Sequence, residues 1–154
     1  MHVDQINPFI ESATRVLEQI AQISSRRGQL GLRDAVIPRH EVAVILGIVG
    51  QVKGQVSYSM SMETAMRIAS QMMGGFHLET FDDMSRSAIS ELGNMITGNA
   101  SALLEEKGIR CNISPPTLVT GENMSISTAK LPTLVVPLET DCGPFEICVG
   151  LMET

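Results

Sequence analysis

Ser87, Glu91, Asn94 and Gly98 have types and spacing that could do chemistry. Offsets of four, seven and eleven residues from Ser87 place them within an arc of roughly 60° on a helix turning about 100° per residue. Ser101 and Glu105 extend the stripe, while Ile89, Leu92, Ile96 and Leu103 fall on the opposite face and suit a core. A carboxylate and a carboxamide flanked by a hydroxyl and a bare backbone form a polar contact surface. A solvated helix face is the ordinary meaning of such a stripe, but two members argue for more. Asn94 and Gly98 are poor helix formers, and an interior Gly costs about 1 kcal/mol relative to Ala. An indifferent face would more readily hold Lys, Glu, Gln or Ala. A Gly beside a carboxylate and a carboxamide lets another backbone approach closely. That backbone is either a partner's or part of this chain's own sheet.

No rival chemistry is visible. His2, His40 and His77 are scattered and none has metal-ligand spacing. Cys111, Cys142 and Cys148 are odd in number without a C-x-x-C motif, so they read as reduced core thiols. The sequence has no Gly-x-Ser-x-Gly elbow and no Gly-rich phosphate loop with a Lys. Formal net charge is −6, and no basic cluster exceeds Arg26-Arg27. That leaves no electrostatic footprint for nucleic acid and no aromatic-plus-basic pattern for single strands.

The stripe belongs to the longest expected helix, from about Asp83 to Lys107, opened by Asp82 and Asp83 and ended by Gly108. An earlier amphipathic helix is expected over Ile6 to Ile23, with Arg26-Arg27-Gly28 as its end and Gly28 as its cap. A second opens at Ser61 as N-cap and closes at Gly74-Gly75; its Met and Ala residues read as core packing. Strands are expected from Gly31 to a stop at Pro38, and over 41–49, 51–60, 111–120 with a break at Pro115-Pro116, 123–131, 133–138 and 145–152. Turn signals stand at Gly50-Gln51, Gly121-Glu122 and residues 141–144. Helices are not interleaved singly with strands. The pattern therefore indicates an α+β fold, a largely antiparallel sheet with long helices packed on one side.

The 154 residues fit one domain spanning 1–154, and 44% apolar content gives it a core, mostly aliphatic because the chain lacks Trp and has one Tyr and four Phe. The start, Met1-His2-Val3-Asp4-Gln5, has no basic lead into an apolar run, and the longest apolar stretch, Val42 to Val49, is too short to span a bilayer. A cytoplasmic protein without membrane partners is expected.

At this point the chain resembles a family. Ser87-x-x-x-Glu91-x-x-Asn94-x-x-x-Gly98, continuing through Asn99-Ala100, is similar to the active-site helix of the CheC/CheX/FliY group of chemotaxis phosphatases. Asn7-Pro8-Phe9-Ile10, Met72-Met73-Gly74 and Ser114-Pro115-Pro116-Thr117 resemble the CheX branch in particular. CheC-type proteins usually carry two Glu-x-x-Asn helices. Here the first helix has Glu11 and, in place of the Asn, Thr14, so the resemblance implies one site and leaves Glu11 and Thr14 structural.

The resemblance implies a phosphatase for the phospho-aspartate of a CheY-like response regulator. Asn94 would orient the attacking water, Glu91 would pair with the receiver's active-site lysine, and Ser87 and Gly98 would border the contact. It implies no cofactor of the chain's own, with Mg2+ supplied by the receiver. A homodimer joined across a sheet edge is a further expectation, the nearly uncharged run Thr133 to Leu138 being the candidate edge. The alternative is a non-catalytic receiver-binding adaptor or a structural module related to flagellar switch proteins.

Overall fold

The computed structural model describes residues 3–28, 31–33, 37–126 and 131–154. Its elements run α1 (Val3–Ala21), β1 (Ser25–Arg27), β2 (Gly31–Arg33), β3 (Ile37–Gly50), β4 (Val52–Met60), α2 (Met62–Met72), α3 (Asp83–Glu106), β5 (Cys111–Ile113), β6 (Thr117–Ile126), β7 (Thr133–Thr140) and β8 (Gly143–Glu153). The strands form one sheet in the order β1-β7-β8-β4-β3-β5, with β2 also on β7 and β6 also on β3. Every pairing is antiparallel, as the element order implied.

Alternation along the central strands assigns the two faces. Val42, Val44, Leu46 and Ile48 of β3 point to one side, joined by Val56, Tyr58 and Met60 of β4 and by Phe145, Ile147 and Val149 of β8. These side chains form one core with Ile6, Phe9, Ala13 and Leu17 of α1, Ala65, Ile68 and Ala69 of α2, and Ile89, Leu92, Ile96 and Leu104 of α3. Burying a Leu or Ile side chain is worth about 1.5–3 kcal/mol, so this face fixes the helices to the sheet. On α3 the inward residue is Leu104, while Leu103 is only half-buried.

Local chemistry explains most boundaries. Ser61 caps α2, accepting from the Thr64 amide at 3.1 Å. Asp82 caps α3 in the same way, accepting from the Ser85 amide at 2.9 Å. Gly74 and Gly108, at φ +89° and +82°, end the two helices in the left-handed conformation.

Several expectations are corrected. Helix α1 ends at Ala21, where Gln22 takes φ 55° and its N–H bonds Glu18 O. Arg26 and Arg27 lie in β1, paired with β7, and not at the end of α1. Gly28 is no helix cap. Its N–H donates to Pro137 O at 2.7 Å, and a Cβ there would stand 3.0 Å from the Pro137 ring. Pro38 does not stop a strand but lies within β3, and residues 34–36 of the expected 31–37 strand lie outside the described residues.

Gly121-Glu122 is not a turn either. Strand β6 runs through it, with Asn123 at φ 51° and register shifts against β3 around His40. A β-bulge carries the same residue types as a turn. The other end of the expected 123–131 strand falls on residues 127–130, outside those described. Finally, the run from Thr133 to Leu138 is not an open edge. Strand β7 has β8 on one side and β1 and β2 on the other, so the edge argument for a dimer through β7 falls.

Candidate functional site

The four candidate residues all lie on helix α3. The inward side of α3 is fixed at two points. Gly93 lies against β3 so closely that an added Cβ would come 2.7 Å from Val44 Cγ1 and 3.4 Å from Tyr58 Cδ2. One turn on, Thr97 Oγ1 donates to Gly93 O at 2.8 Å and lies 2.7 Å from the Tyr58 hydroxyl. Because the Thr97 hydrogen is committed to Gly93, Tyr58 is the donor in that pair. Burial pushes the Tyr58 phenol far above its ordinary value, and the bond to Thr97 offsets that only in part. Tyr58 is therefore a fixed neutral strut between sheet and helix.

The outward side carries the predicted residues. Ser87 and Glu91 are exposed, and Asn94 and Gly98 are half-buried. Helix geometry puts all four on one face, with Glu91 and Asn94 about 4.5 Å apart along the axis. Among the described residues, Glu91 and Asn94 make no side-chain hydrogen bond or ion pair. A Cβ added at Gly98 meets nothing within 4 Å, so the chain's own packing gives no reason for glycine there. Of the two alternatives left open for Gly98, packing on the chain's own sheet is therefore not the one seen. Gly93, which the sequence reading passed over, is the packing glycine, and Gly98 is the open one. Spacing held the clue, since Gly93 sits between Leu92 and Ile96 on the core-facing side.

The α1 counterpart is spent on local bonds. Glu11 pairs with Arg15 at 2.9 Å, and the Thr14 hydroxyl donates to Ile10 O at 3.0 Å. Both side chains thus have partners within α1, whereas Glu91 and Asn94 have none among the described residues.

A cleft of about 740 Å³ lies elsewhere, between the end of α1, α2 and the β7–β8 turn, lined by Glu63, Arg67, His77 and Cys142 among others. It contains none of the four stripe residues. Arg67 is engaged there with the carbonyls of Asp141 and Cys142 at 3.0 and 3.4 Å, and burial pushes the Cys142 thiol up. Among the described residues, no group of three or more His, Cys, Asp or Glu is placed to hold a metal ion, and no helix is long and apolar enough to cross a membrane. A polar helix face set apart from that cleft suits contact with a partner protein.

Comparison with known proteins gives the family and the fold. The family described as "Chemotaxis phosphatase CheX" matches residues 42–139. The chain is 34% identical to the CheY-P phosphatase CheX of Thermotoga maritima over 80% of this chain and 79% of that protein. A CheC-like superfamily protein from Shewanella sp. PV-4 superposes with a TM-score of 0.91 at 29% identity, covering 99% of each chain. The CheX of a CheX–CheY–BeF3–Mg2+ complex from Borrelia burgdorferi superposes at 0.84 with 32% identity, over 99% of this chain and 100% of that one.

Proposed function

The chain belongs to the CheX family of chemotaxis phosphatases, and from that premise we propose that it hydrolyses the phospho-aspartate of a CheY-like receiver, with Asn94 as its catalytic residue and Glu91 as its docking residue. One observation carries the assignment of residues. Glu91 and Asn94 share the outward face of a helix whose inward face is anchored, and neither side chain is used by the fold among the described residues.

An aspartyl phosphate is an acyl phosphate, labile without a second nucleophile. What the reaction needs is a water held in line with the phosphorus and charge stabilisation on the phosphoryl oxygens. A carboxamide can accept from and donate to that water at once, and it brings no charge to repel the phosphoryl group. Water attacks phosphorus, the bond from phosphorus to the aspartyl oxygen breaks, and inorganic phosphate leaves behind a carboxylate. Glu91, one turn away, offers a carboxylate to the receiver's lysine and sets the register that aims Asn94. The Mg2+ belongs to the receiver in this reading. The relative seen with CheY, BeF3 and Mg2+ supports that assignment, since trifluoroberyllate stands in for a phosphoryl group. With α1 occupied by its own contacts, one chain engages one receiver.

The test is the decay of a phosphorylated CheY-like receiver with Mg2+, alone and with wild type, Asn94→Ala or Glu91→Ala. Wild type accelerates decay. Asn94→Ala loses roughly 100-fold in kcat, the scale of removing one positioned polar group. Glu91→Ala raises KM. Unchanged decay with wild type, alongside retained binding, would replace the enzyme by an adaptor.

A further inference from the structure

Met84 stands in the first turn of α3 with 70% of its surface exposed, and it takes no part in the core. A single exposed apolar residue is ordinary, so position has to carry the argument. Helix geometry sets Met84 within about 60° of Ser87, Glu91 and Gly98, roughly 10 Å along the axis from Glu91. Ala88 and Met95 flank it on one side, half-buried against the core. Exposed Asp83 and Ser87 lie on the other. The face thus has an unpartnered apolar end continuous with its polar centre, the arrangement of an interface anchor beside a polar contact. The helix itself gains little from Met84, because a first turn favours acidic residues such as the neighbouring Asp83.

We propose that Met84 is a docking and specificity residue for the receiver, seated on an apolar patch at the rim of the receiver's phosphorylation site. The inference rests on the reading of Glu91 and Asn94 given above, since it takes its occupant from continuity with their face. Met84 lies about 15 Å along the axis from Asn94 and touches no reacting atom. It binds ground state and transition state alike, so its loss appears in KM and not in kcat. A thioether side chain adapts to a patch of irregular shape, which suits discrimination among receivers that share the same phosphorylation chemistry.

The experiment uses the intact chain with Met84→Glu, Met84→Leu and, as a control, Met152→Glu at the exposed end of β8. Glutamate at position 84 suits the helix N-terminus, so the fold is retained. Two quantities are measured: steady-state dephosphorylation of a CheY-like receiver, and calorimetric affinity for that receiver loaded with BeF3 and Mg2+. Met84→Glu raises KM and weakens affinity about ten-fold or more with kcat within two-fold, while Met84→Leu and Met152→Glu behave as wild type. An active wild type with unchanged KM and affinity in Met84→Glu overturns the proposal. So does a fall in kcat at constant KM. A wild type that binds the receiver without dephosphorylating it, with binding lost in Met84→Glu, removes the phosphatase reading and keeps the docking residue. A wild type that neither binds nor dephosphorylates overturns both.

Discussion

Replacing Gly98 by Ala should stabilise this protein and impair it. Gly98 lies inside a 24-residue helix, where Ala is favoured over Gly by about 1 kcal/mol. Nothing lies within 4 Å of the added Cβ, so no strain offsets that gain. For a chain of this length a gain of 1 kcal/mol raises Tm by about 2–4 °C. Function should move the other way. If the receiver's backbone packs against the bare Cα, a methyl group there is an overpacked contact costing about 1–3 kcal/mol. That corresponds to a loss of roughly 5- to 150-fold in kcat/KM.

Gly93→Ala provides the internal comparison. The same propensity gain is available, but the new Cβ meets Val44 Cγ1 at 2.7 Å and Val44 Cβ at 3.1 Å. Both atoms belong to a fully buried side chain, so the overpacking cost of about 1–3 kcal/mol outweighs the gain. Thermal unfolding and receiver dephosphorylation on both variants separate the cases. Gly98→Ala should be more stable and less active, Gly93→Ala less stable. Full activity in a stabilised Gly98→Ala would show that no backbone approaches there, and the reasoning from an otherwise unexplained glycine would fail.

Other changes test the supports of the site. Tyr58→Phe should cost about 1 kcal/mol in denaturant unfolding, since only the bond to Thr97 is lost; Thr97→Val should cost more, about 1–3 kcal/mol, because it leaves the buried Tyr58 hydroxyl without a partner. Glu11→Ala and Thr14→Ala should leave dephosphorylation unchanged, whereas a loss comparable to that of Asn94→Ala would reveal a second site on α1. Hydrogen bonds from the Ser85 hydroxyl, then from its amide, hold the Asp82 carboxyl below the usual carboxylate range. The folded state therefore binds this proton less readily than the unfolded chain. Its stabilisation is complete above the ordinary aspartate range and fades as pH falls through it. Asp82→Asn should flatten that acid limb of the stability curve, and an unaltered limb would exclude the cap as its source.

The sequence exposed some features and hid others for identifiable reasons. Helices α2 and α3 were legible at both ends because Ser61, Asp82, Gly74 and Gly108 each act through a bond or dihedral within a few residues. The stripe from Ser87 to Gly98 was legible because helical periodicity is local. The end of α1 was not, because Gln22 takes a conformation usually left to Gly. The pairing of Arg26 and Arg27 with β7 joins residues more than a hundred positions apart, and nothing near the arginines announces it. Gly28 looked like a cap, and Gly93 drew no notice. Each instead answers to a distant neighbour, Pro137 or Val44. For Gly28 nothing nearby announces the approach, and for Gly93 the one local sign is its place beside Leu92 and Ile96 on the core-facing side of α3.

The same contrast accounts for the form of the site. A water-positioning amide is useful only if its helix cannot slide, because a displacement of about 1 Å can cost two orders of magnitude in rate. Gly93 lets α3 rest directly on β3, and the Tyr58–Thr97–Gly93 chain of hydrogen bonds fixes its rotation at the adjacent turn. Gly93 lies about 100° and Thr97 about 60° around the helix from Asn94, so rigidity is supplied from the sheet-facing flank and neither Glu91 nor Asn94 is consumed in providing it. Were the anchoring incidental, Gly93→Ala and Tyr58→Phe would lower stability and leave kcat alone. If the sheet sets the aim of Asn94, kcat falls in both variants under conditions where they remain fully folded, and Gly93→Ala, which displaces the helix directly, falls further.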